Sequence, residues 1–208
     1  MFSKFLNLEP EKQERIINAA MKEFAEKGFK NASTNEIVKE ANIAKGMLFH
    51  YFSNKKTLFL FLYDYTLEVI GRDFFGKIDF NERDILKRLR QVALTKYALI
   101  GKYPGMFDFA KIANFEDSSE VKSDLESRNK EFINLSYVKI FEDIDTSKFR
   151  HDIDIKAAMD VIIWTIEGFA AREQEKLKQI SLSEINYDEL FDRRDTYLGL
   201  LKKCFYSE

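Results

Sequence analysis

Residues 33–52 read STNEIVKEANIAKGMLFHYF, and the spacing within them predicts two short helices joined by a tight turn. Ser33 with Glu36 has the pattern of a capping box, the hydroxyl accepting a helix N–H while the carboxylate reaches back to the cap. Ile37, Val38 and Ala41 share one side of the first helix and are expected to pack inward. Asn42 can end that helix, because it enters left-handed backbone geometry at modest cost. Ile43 plugs the turn. A second helix starting at Ala44 or Lys45 places Leu48 and Phe52 inward and leaves Lys45, Gly46, Met47, Phe49, His50 and Tyr51 outside. A lysine, an imidazole and two aromatics make an odd face for plain solvent. They suit the second helix of a helix-turn-helix, which enters a DNA major groove.

The surrounding residues extend the pattern. A first helix ends in F-x-E-K-G-F (Phe24 to Phe29), followed by T-x-x-E-I-V-x-E-A (Thr34 to Ala41), G-x-L-F-x-Y-F (Gly46 to Phe52) and N-K-K-x-L (Asn54 to Leu58). With these pieces in order, residues 10–58 resemble the DNA-binding domain of TetR/AcrR-type transcriptional repressors. The chain departs from the family at Asn42, where glycine is usual, and at Phe49, where the usual tyrosine would supply a phosphate-directed hydroxyl. The resemblance implies that Thr34 bonds a phosphate and that Asn35, Lys45 and Met47 reach base edges. Lys45 would pair with guanine and Met47 would touch a thymine methyl. Gly46 would let the backbone approach closely, Tyr51 and Lys55 would hold phosphates, and His50 could do either. Phe49 completes the face.

Composition sets the bounds. The chain has 208 residues, 45% hydrophobic and 14% aromatic, enough for a sizeable core in one large domain or a small domain joined to a larger one. Only two prolines and eight glycines favour long helices. The single Cys204 excludes an intramolecular disulfide and fits a reducing cytoplasm. The apolar run Leu58 to Tyr63 is too short to span a bilayer, so a cytoplasmic protein without a membrane partner is expected. The net charge is −2, yet residues 1–60 carry ten Lys and Arg against seven Glu, while the remainder carries 23 basic and 28 acidic residues. That asymmetry is the one expected of a DNA reader joined to something else.

A helix is expected from Pro10 to Lys27, with Pro10 pre-set for its first turn and Gly28 closing it. Met1 to Leu8 reads as a loose arm. Asn54 caps the next helix, which is expected to run from Lys55 to about Gly76. Lys55 and Lys56 at a helix N-terminus run against the dipole, which makes sense if a phosphate sits there; solvated lysines are the alternative. Further helices are expected up to Pro104, over 105–114, 117–144, 155–178 and 187–205. The Arg150-His151-Asp152-Ile153-Asp154 cluster reads as a helix cap rather than a metal site. There is no Gly-rich phosphate loop, nucleophile elbow or cysteine pair, so neither an enzyme nor a cofactor is expected.

The expected architecture is therefore all-α, with a three-helix helix-turn-helix DNA-binding domain over 1–54 and a helical effector-binding and dimerisation domain over 55–208. The resemblance implies a ligand-responsive homodimeric regulator, usually a repressor, that binds a palindromic double-stranded operator and is released by a small apolar or aromatic effector. Tyr97, Tyr103, Phe107, Phe109, Phe115, Phe132 and Trp164 lie on helices that surround a cavity in the family; aromatic positions at helical spacing can equally be plain core. Ala158, Ile162, Thr165, Phe169, Leu198 and Leu201 lie on the pair that dimerises, and the alternative is intrachain core. A ligand-independent DNA-binding protein with a nucleoid- or replication-associated role would carry the same helix-turn-helix.

Overall fold

A computed structural model describes residues 2–177 and 186–207. Among them the regular structure is entirely helical: α1 (Ser3–Leu6), α2 (Pro10–Asn31), α3 (Thr34–Glu40), α4 (Lys45–Phe52), α5 (Lys55–Phe75), α6 (Ile85–Lys102), α7 (Pro104–Asn114), α8 (Lys122–Phe141), α9 (Ile155–Leu177) and α10 (Tyr187–Phe205). The last residue of the helix expected over 155–178 lies outside the described residues. The chain forms two compact units, one of Met1–Asp73 with Lys102–Ser136, the other of Phe74–Gly101 with Tyr137–Glu208.

In the first unit α5 is the central element. Leu58 through Tyr63 are all buried, so this helix is covered on every side. Phe59 and Phe61 are two positions apart and point to nearly opposite sides. Phe61 packs against Phe2, Phe5 and Phe52, with ring centroids 4.8–5.2 Å away. Phe59 meets Phe24, Phe29 and Phe109 at 4.8–5.2 Å. One helix thereby fixes the end of α4 on one side, and α2 with α7 on the other. The functional boundary expected at residue 54 falls inside this unit, because Leu58 to Tyr63 share a core with Leu48 and Phe52.

The N-terminal arm is a correction to the sequence reading. Residues 3–6 form a helical turn whose Phe5 is fully buried, edge-on to Tyr51 and Phe61. Gln13 ties the arm down, its Nε2 donating to the carbonyls of Leu6 (3.1 Å) and Leu8 (2.8 Å). The physical reason is the Phe2–Phe5 pair, whose burial outweighs the entropy of ordering a short arm.

The second unit packs Ile85, Leu86 and Leu89 of α6 against Ala158 and Ile162 of α9 and Leu198 and Leu201 of α10. Arg88 lies fully inside it and donates to the carbonyls of Phe80 (2.9 Å), Glu82 (2.8 Å), Ile140 (3.0 Å) and Glu142 (2.7 Å). Its cation thus serves carbonyls at the C-terminal end of α8, where the helix dipole is negative. Asp84 caps α6 through the amides of Leu86 and Lys87 and accepts from Lys148 and Tyr206. Burial works to raise its pKa, but these donors outweigh it and hold the carboxyl below the usual range.

Replacing Phe5 with Ala is expected to cost about 3–5 kcal/mol, the range for a fully buried phenylalanine. Denaturant unfolding checks this, and a loss under about 1 kcal/mol would mean that the arm is loose after all.

Candidate nucleic-acid interface

The helix-turn-helix is built much as its sequence suggests. Asn42 has φ 52°, the left-handed geometry that ends α3 and lets Ile43 bond back to the Val38 carbonyl at 3.0 Å. Ile37, Val38, Ala41, Leu48 and Phe52 are buried. On the outer side Asn35, Lys45, Gly46, Met47, Phe49 and His50 are exposed, and Thr34 is half-buried at the start of α3. Met47 at 38% and Phe49 at 37% keep apolar surface in water where a smaller or polar residue would do. That surface is what a thymine methyl or a sugar edge would cover. A Cβ built on Gly46 meets nothing within 4 Å, so its glycine is not required by the unbound fold.

The capping box is not made. Ser33 is the N-cap of α3 without a side-chain cap bond, and its own N–H donates instead to Glu23 Oε1 of α2 at 2.8 Å. A carboxylate on a packed neighbouring helix reaches the amide that Glu36 was expected to serve. Glu36 is consequently exposed beside Asn35 and joins the residues available to a partner, a position that the capping reading concealed.

Two expected phosphate contacts are placed differently. Tyr51 is buried, because it follows the inward Leu48 by one helical turn and α1 covers it. Its hydroxyl is enclosed, without a hydrogen-bond partner among the described residues, so it is not on the outer face. Lys55 lies over the Phe29 ring at 4.9 Å and donates to the carbonyls of Lys30 (3.0 Å) and Ala32 (3.3 Å). Its position at the start of α5 is thus explained from within: the ammonium neutralises the carbonyl end of α2. Lys56 pairs with Asp124 at 2.8 Å, and its hydrogen bond is the main cause holding that carboxyl below its usual range.

The aromatic residues expected around one cavity belong to both units. Phe109 is core of the first unit, with α2 and α5. Phe132 covers Gly71, where a Cβ would stand 3.0 Å from its ring. Tyr103 donates its hydroxyl to Asp73 at 2.7 Å, alongside Lys102 at 2.7 Å, and hydrogen bonds from Lys102 first and Tyr103 second hold Asp73 well below the usual carboxylate range. It also lines an open groove of about 960 Å³ with Tyr65, Val69 and Met106. Phe107 is half-buried on α7, and Phe115 is exposed at a smaller recess of about 250 Å³. In the second unit the Tyr97 ring lies tilted against Tyr187 (4.2 Å) and edge-on to Phe191 (5.6 Å), while Trp164 is 66% exposed. Helical spacing reports that a side chain is apolar, not which core it enters.

The same holds for the expected dimer residues. Ala158, Ile162, Leu198 and Leu201 are buried within their own unit, and Thr165 and Phe169 are half-buried. Among the described residues, the large apolar side chains that α9 and α10 expose are Ile155, Val161, Trp164, Tyr197 and Leu200. Among the described residues, no group of three or more His, Cys, Asp and Glu could hold a metal, and Asp154 caps α9 through the Ala157 amide at 3.1 Å. No helix among them is long and apolar enough to cross a membrane.

Residues 16–62 match the family model for bacterial regulatory proteins of the tetR family. The chain is 44% identical to the HTH-type transcriptional regulator YuxN of Bacillus subtilis over 55 residues, which is 26% of this chain and 19% of that protein. It is 23% identical to the fatty acid metabolism regulator protein of Bacillus subtilis over 156 residues, 74% of this chain and 78% of the relative. The structure of the fatty acid degradation regulator FadR from Bacillus halodurans has the same fold, with TM-score 0.59 at 22% identity over 91% of this chain and 97% of that one. These matches are to transcription regulators, not enzymes.

Gly46→Ala is expected to leave thermal stability unchanged or raise it by up to about 1 kcal/mol, since alanine favours helix and the site is open. Operator affinity is nevertheless expected to fall about tenfold, because the methyl would stand where the resemblance implies a close approach to DNA. Titration of both proteins with one duplex checks this, and equal affinities would remove Gly46 from the interface.

Proposed function

We propose that this TetR-type transcriptional regulator acts as a homodimeric repressor on a palindromic DNA operator and is released by a small apolar effector. The observation that carries the DNA side is the outer face of α4. It combines exposed Lys45, Met47, Phe49 and His50 around a glycine with open space above it. Lysine can address guanine O6 and N7, and the thioether can cover a thymine methyl. Thr34 and the exposed start of α3 are suited to a backbone phosphate.

The dimer is supported by the outward face of α9 and α10. Trp164 is 66% and Leu200 54% exposed, with Val161 and Tyr197 beside them in the helical repeat. Tryptophan and tyrosine left in water on one face are anchors of the kind that dominate protein interfaces. Two copies would hold their reading helices about 34 Å apart, one turn of DNA. For the effector, two relatives are named for fatty acid metabolism and fatty acid degradation. We infer the same class, an apolar acyl chain. By linkage, an effector favouring the dimer state with the wrong helix separation weakens DNA binding, and DNA weakens effector binding equally.

Selection of duplexes from a random pool by the full chain tests this reading. A palindrome with half-sites one turn apart is expected. Lys45→Ala should then cost about 1–3 kcal/mol at one base position and relax the preference there. Absence of any enriched duplex at moderate salt would overturn the regulator reading.

A further inference from the structure

The first unit joins the helix-turn-helix to residues 102–136, and among the contacts that join them one carboxylate bonds to backbone on both sides. At Gly28 the backbone takes φ 68° and ψ 176°, so α2 breaks and a new turn begins at Phe29. A turn that starts this way leaves its first amide without a helical acceptor. Glu116, in the connection between α7 and α8, supplies one: its Oε2 accepts the Phe29 N–H at 2.8 Å. Its other oxygen, Oε1, accepts the N–H of Ser118 at 2.9 Å, and Ser118 is buried. One carboxylate therefore bridges a backbone amide of the helix-turn-helix domain and a backbone amide of the α7–α8 connection.

The turn so capped is short and its other end is equally held. Ala32 N–H closes it on the Gly28 carbonyl at 3.2 Å, and Lys55 takes the carbonyls of Lys30 and Ala32. Ser33 follows immediately as the N-cap of α3. The direction in which α3 sets out, and with it the face of α4, follows from a connection held at Phe29 by Glu116, at Lys30 and Ala32 by Lys55 and at Ser33 by Glu23. Close by, the Tyr63 hydroxyl donates to Asn114 Oδ1 at 2.9 Å, and Lys30 approaches Asp117 at 3.7 Å with both side chains mostly exposed. Of Asn114, Glu116 and Asp117, only Glu116 bonds to the backbone of the turn itself. Charge-assisted bonds to amide groups are the strong and directional ones.

We propose that Glu116 is the positioning residue through which the α7–α8 connection sets the aim of the reading helix. Displacement of that connection is felt at Phe29 first and at α3 and α4 next. The inference rests on the DNA-binding reading and names the contact that carries regulation into it.

The test compares wild type, Glu116→Gln, Glu116→Ala and Asn114→Ala, each as the full chain, on a duplex selected by the wild type. Active protein is counted by stoichiometric titration, and thermal midpoints are measured alongside. Glu116→Ala should lose about tenfold or more in DNA affinity, with Glu116→Gln between it and wild type. Its Phe29 amide should exchange faster while the Ile37 and Val38 amides keep their protection. Asn114→Ala, which removes a nearby side-chain bond, should lower the midpoint comparably yet bind DNA within twofold of wild type. Glu116 variants binding within twofold would overturn the proposal, and so would affinity losses that follow the thermal midpoint equally in Glu116→Ala and Asn114→Ala. A wild type that selects no duplex would instead defeat the DNA-binding reading.

Discussion

An eight-residue helix cannot hold itself together in water, and α4 is eight residues long. Its persistence and its direction must come from what it is packed against. Leu48 and Phe52 supply the grip on the inner side, with Phe61 of α5 and Phe5 of α1 closing around Phe52 at 5.1 and 4.8 Å. The outer side is then free of structural duty. That separation allows a glycine and two exposed apolar side chains to stand there at little cost to the fold.

The same logic orders the α2–α3 connection. Three side chains from three elements hold its backbone: Glu23 on the Ser33 amide, Lys55 on the carbonyls of Lys30 and Ala32, and Glu116 on the Phe29 amide. None is near a neighbour in sequence to the group it serves. A turn held by its own residues would be local and insensitive to the rest of the chain. A turn held from residue 116 responds to whatever moves that segment.

Much of the fold was legible from local chemistry. Asn42 takes the left-handed geometry its side chain tolerates, and Gly28 takes a positive φ. The long helices lie close to where apolar periodicity places them. What escaped is tertiary in origin. Ser33 and Glu36 have the right spacing for a capping box, but Glu23 arrives at the same amide from a packed helix and displaces the local option. The arm looked too short to order, and Phe5 orders it by burial. On α9 and α10 the pattern reports two apolar stripes without saying which is core. Ala158 and Ile162 went inward, and Val161 and Trp164 went outward, one position or two away. Among the reading residues the sequence located the exposed face through Lys45, Gly46, Met47, Phe49 and His50, but not the inward turn of Tyr51 or the internal partners of Lys55.

The central claim is that the outer face of α4 meets DNA as a rigid surface. Hydroxyl-radical labelling of the full chain, with and without a duplex it has selected, tests this most directly. Protection is expected at Met47, Phe49 and His50, while the buried Tyr51 shows no change. Unaltered labelling at Met47 and Phe49 in a saturated complex, with protection confined to other surfaces, would contradict it.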